Sequence, residues 1–87
     1  MKAVISVIGQ DKTGIIYKVS KILYESEVNI EDISQTIMQG YFTMLMLVNI
    51  PDSATISEIK RSLAPLAEED LSVQIQKTEI FDETHHI

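Results

Sequence analysis

The residues best placed to do chemistry lie in one run, Val7-Ile8-Gly9-Gln10-Asp11-Lys12-Thr13-Gly14-Ile15-Ile16. An apolar, strand-like segment passes through a polar, glycine-punctuated turn and enters an amphipathic pattern. Such a turn aims backbone N–H groups at one point, where the positive end of a helix dipole receives a carboxylate or phosphate. The chemistry is binding, because no nucleophile or base stands beside the turn. Gly14 either lets a ligand approach the backbone or supplies a conformation the turn needs. Asp11 either holds a ligand's ammonium group or caps the helix that follows.

Other polar groups carry less. His85 and His86 beside Glu83 suggest a metal, but adjacent side chains do not converge on one ion without further ligands. Glu68-Glu69-Asp70 read as a solvated junction, since a calcium loop needs more oxygen ligands at alternating positions. Neither a metal nor a cofactor is expected. Met38, Met44 and Met46 recur at strand spacing and read as packing before they read as an adaptable binding surface.

Composition removes whole classes. The 87 residues contain no cysteine, which excludes a disulfide scaffold, a thiolate zinc site and a thiol nucleophile. Thirteen acids against seven bases give a net charge of −6, and no Lys or Arg cluster could track a phosphate backbone, so nucleic acid is not an expected partner. Nothing approaches the roughly 20 apolar residues of a membrane span or the layout of a signal peptide. A soluble, cytoplasmic protein is the expectation.

The elements that must position the turn follow from periodicity. Residues 3–9 form a nearly continuous β-branched run, read as a strand covered on both faces. From about 14 to 26, Ile15, Val19, Ile22 and Leu23 fall on one helical face opposite Lys18, Lys21 and Glu25. Val28-Asn29-Ile30 resumes extended character, with Asn29 suited to the left-handed or turn conformation that follows a helix end. A polar blend over 30–39 predicts an edge or half-exposed strand. Gln39-Gly40 marks a tight turn, and Tyr41 to Val48 leaves Thr43 as the only polar residue of a strand expected to be hidden on both sides. Thr55-Ile56-Ser57-Glu58 matches a capping box that opens a second helix, which Pro65 must kink or end. Leu71, Val73 and Ile75 alternate with Ser72, Gln74 and Gln76 in a final strand with one wet face.

The order βαββαβ, with right-handed crossovers, predicts an α+β, ferredoxin-like domain: a four-stranded antiparallel sheet with two helices on one face. The two most apolar strands, the first and third, take its centre. Residues 1–80 form this single domain and 81–87 a polar C-terminal tail. The third strand offers Tyr41, Leu45 and Leu47 to one side and Phe42, Met44, Met46 and Val48 to the other, while helices cover only one. A second copy of the chain, or the C-terminal segment with Ile80 and Phe81, must cover the other.

These residues resemble the ACT domain, a regulatory small-molecule-sensing module, and especially its stand-alone single-domain members. The resemblance spans about residues 3–80 and rests on the order of four segments. They are Val7 to Ile15, Asn29-Ile30, Ser34-Gln35-Thr36 and Gly40-Tyr41-Phe42. It implies a homodimer that binds an amino acid or similar metabolite between domains. Asp11, Lys12, Thr13, Gly14 and Ile15 of one copy would then face Asn29 and Ile30 of its neighbour. Thr13 stands where many members have Pro, a departure that bears on affinity more than on fold.

Competing readings remain. An association domain could dock on a partner enzyme or regulator without any ligand. A small acylphosphatase-like hydrolase shares the element order but needs an Arg in the first strand-to-helix loop; here Lys12 sits in that loop and the only Arg is Arg61. An RNA-binding module would show stacking aromatics on its central strands and a basic face.

Overall fold

The computed structural model describes residues 1–10 and 12–78. Six elements follow in the expected order: β1 (Lys2–Gly9), α1 (Lys12–Glu25), β2 (Asn29–Met38), β3 (Tyr41–Asn49), α2 (Ile56–Leu63) and β4 (Ser72–Lys77). All sheet pairings are antiparallel and the order is β2-β3-β1-β4, so the two most apolar strands are central. Each crossover helix packs on the same side, where the core forms. Ile5 and Val7 of β1, Met44 and Met46 of β3, Val19 and Leu23 of α1 and Ile59 and Leu63 of α2 are all buried there. No polar side chain is buried among the described residues, so packing alone carries the core. Each such Leu or Ile contributes about 1.5–3 kcal/mol by leaving water.

Local chemistry explains the boundaries. Met38 pairs with Tyr41 across the two-residue loop Gln39-Gly40, whose φ values of 52° and 84° define the turn that matches strand twist. The side chain of Thr55 accepts from the Glu58 amide at 3.2 Å and the Glu58 carboxylate accepts from the Thr55 amide at 3.0 Å, the reciprocal pair read from the sequence. Pro65 ends α2 at Leu63, and a 3-10 turn (Ala64–Glu69) takes its place.

Three expectations need correction. Helix α1 begins at Lys12, two residues before the periodicity becomes visible, because neither Lys12 nor Thr13 is an apolar residue that could mark it. The left-handed residue after α1 is Glu27 (φ 59°), and Asn29 is already the first residue of β2. Val28 donates to the Leu23 carbonyl and Glu27 to that of Tyr24, a Schellman closure that needs positive φ two residues earlier than Asn29.

The third correction concerns β1 and β3. Within one chain each is covered on one face only, and Ile8 and Leu45 on the other are 44% and 39% exposed. That second face interleaves Ser6, Thr43 and Ser34 with Val4, Leu45 and Leu47, so its apolar strip is narrow. Ile80, Phe81, His85, His86 and the proposed tail 81–87 lie outside the described residues.

Candidate functional site

The turn forms where β1 reaches the top of the sheet. Gly9 pairs with Phe42, Gln10 follows as an exposed bend, and the chain enters α1 at Lys12. Gly9 is the tightest point. A Cβ there would lie 2.3 Å from Leu71 Cδ2 and 2.7 Å from Ile15 Cδ1, so any larger residue must push the ends of both side chains aside.

Beside it opens a cleft of about 280 Å³ lined by Gln10, Gly14, Ile15, Lys18, Glu69, Asp70 and Leu71. Ile15 is buried and anchors the helix start, Gly14 is half-buried, and Thr13 points to solvent. The Lys18 ammonium forms an ion pair with Glu69 Oε1 at the rim. Both side chains are well exposed, so the pair contributes little and can be broken by a competing charge. Asp70, held at φ 61°, turns the chain into β4. The first turn of α1, residues 12–15, contains no acidic side chain. The cleft therefore offers a cation and a helix terminus to an anion, with carboxylates on the opposite bank for an ammonium group.

Thr13, Gly14 and Ile15 come together at this turn, as does the backbone of Lys12; Asp11 lies outside the described residues. Asn29 and Ile30 do not join them within one chain. Asn29 pairs with Asn49, which also pairs with Lys2, so both residues sit at the opposite end of the sheet from Gly9. Seven steps of β1 separate the two ends, about 23 Å at 3.3 Å per residue. Asn29 instead lines a shallow depression of about 490 Å³ with Tyr24 and Glu27.

The sequence reading missed Gly9 as the close-approach glycine, and missed Lys18, Glu69, Asp70 and Leu71 as cleft walls. The signal was in the topology: β1 and β4 are antiparallel neighbours, with Ile8 opposite Ser72, so residues 69–71 must flank Gly9 and Gln10. Among the described residues no group of His, Asp and Glu could hold a metal, and no helix is long and apolar enough to cross a membrane.

Comparison with known proteins agrees with this geometry. The sequence profile of the ACT domain matches residues 2–77. A UPF0237 protein of Clostridium perfringens is 48% identical over 89 aligned positions, covering all of both chains. An ACT domain protein from Streptococcus pneumoniae superposes with a TM-score of 0.81 at 35% identity, covering 94% of each chain. A structure described as a putative glycine cleavage system transcriptional repressor gives a TM-score of 0.68 at 26% identity, over 86% of this chain and 44% of that one.

Proposed function

The chain belongs to the ACT domain family, and from that membership we propose a regulatory module in which two copies join to complete a site for an amino acid or related metabolite. The observation that carries this reading is the separation of the two half-sites. The turn lies at one end of the sheet and Asn29-Ile30 at the other, so a single chain cannot bring them together. An antiparallel neighbour along β2 brings its own Asn29 to the turn end of this chain's sheet, with β2 and β3 between it and Gly9.

The state of β2 supports that route. It is an edge strand of ten residues, every one exposed except half-buried Ile30. Ile33 and Ile37 face the helix side, yet α1 does not reach over them, and they are 40% and 67% exposed. Long, open edges that expose apolar side chains such as these invite strand pairing. Two β2 strands related by a two-fold axis at Gln35 set Ile33 against Ile37 of the partner twice and keep Glu31 and Asp32 away from their own copies. The ligand's carboxylate meets the positive end of α1 and Lys18, displacing Glu69, while its ammonium meets Glu69 or Asp70. Occupancy then shifts the arrangement of the two copies through its differential affinity. The likeness to a transcriptional repressor supports a regulatory setting.

Calorimetric titration with a panel of free amino acids tests the reading. Saturable heat with at least one of them, weakened about tenfold or more by Lys18→Met, is the expected result. Heatless titrations and an unchanged melting temperature throughout would overturn the sensor, and an intact dimer in that case would identify a purely structural association domain.

A further inference from the structure

The opposite edge of the sheet has a different character. Among the described residues no strand flanks β4 on its outer side. Between that edge and α2 runs a groove of about 470 Å³, with Lys60, Leu63, Ala64 and Ala67 on one bank and residues 73–76 on the other. Its cause is local. Pro65 ends α2 and starts the 3-10 turn, and the positions that face the strand there hold alanine, whose methyl groups leave the space unfilled. Val73 is left half-buried beside it.

We propose that this edge is a strand-addition site for an extended, acidic and apolar segment of another protein. The backbone of β4 supplies main-chain hydrogen bonds, and the groove takes the inward side chain of the added strand, the division of labour by which such sites gain affinity and specificity. Charge selects the occupant. Among the described residues Lys60 is the only charged one lining the groove, Lys77 closes the strand, and neither makes an ion pair. Among the described lining residues a second copy docked by the same edge offers no carboxylate to either lysine, so this edge does not complement itself. An acidic strand does. The site shares no lining residue with the turn cleft or with β2.

Amide-resolved NMR of the full chain with an acetylated heptapeptide, Thr-Glu-Val-Thr-Val-Glu-Thr, tests the proposal. Saturable shifts confined to residues 72–77 and to Ala64 and Ala67, lost when the central Thr of the peptide is replaced by Pro, are expected. Lys60→Glu, a surface change that leaves packing intact, should weaken this peptide about fivefold or more and favour the version carrying Lys in place of Glu. Ala67→Leu should fill the groove and abolish binding of both. Absence of shifts at millimolar peptide, shifts at β2 instead, or β4 amides that respond only to protein concentration, marking a second copy as the occupant, would each overturn it.

Discussion

Helices α1 and α2 hold equivalent places in the two halves of the fold, yet they end in opposite ways. Helix α2 satisfies itself: Thr55 and Glu58 close its first turn, Glu58 supplies the acid there, and Lys60 and Arg61 supply bases in the last. Helix α1 has no acid in its first turn and no base in its last. The strands repeat the contrast. β4 is short and partly covered by α2, whereas β2 is long and open on both faces. Helix α2 thus closes its own first turn, and the N-terminal half keeps a long strand edge available to something else.

The sharpest way to break this comparison is at the seam between the halves. Gly9→Ala places a Cβ against Leu71 and Ile15, both buried, and should destabilise the fold by about 1–3 kcal/mol in urea melts while widening the cleft. A smaller effect is expected from the self-sufficient half. Thr55→Ala removes the capping box and should cost about 1 kcal/mol, leaving ligand affinity and oligomeric state unchanged. The opposite sign is expected at the end of α1, where Glu27→Gly relieves a left-handed residue and should stabilise by up to about 1 kcal/mol.

Most of the fold was legible in the sequence because its signals are local. The capping box, the Gln39-Gly40 turn, the Pro65 break and the choice of central strands all rest on residues close together in the chain. What escaped the reading depends on tertiary contact. Nothing local marks Gly9 rather than Gly14 as the glycine that a neighbour presses on, and Glu69 becomes a cleft wall only because β4 lies beside β1. The left-handed position went to Glu27 because the Schellman bonds fix it relative to the last helical turn, against residue preference. Burial of β3 on both sides was inferred from composition, and within one chain the helices cover only the side of Phe42, Met44, Met46 and Val48.

The central claim is that two chains meet along β2 to bring the partner's Asn29 to the turn end of this chain's sheet, and sedimentation equilibrium at micromolar concentration tests it most directly. The account predicts a mass of twice 9.8 kDa for the natural chain and 9.8 kDa for the Ile33→Glu/Ile37→Glu variant, with the variant still folded by circular dichroism. A natural chain that sediments as a lone 9.8 kDa particle, or a variant that remains paired, would contradict it.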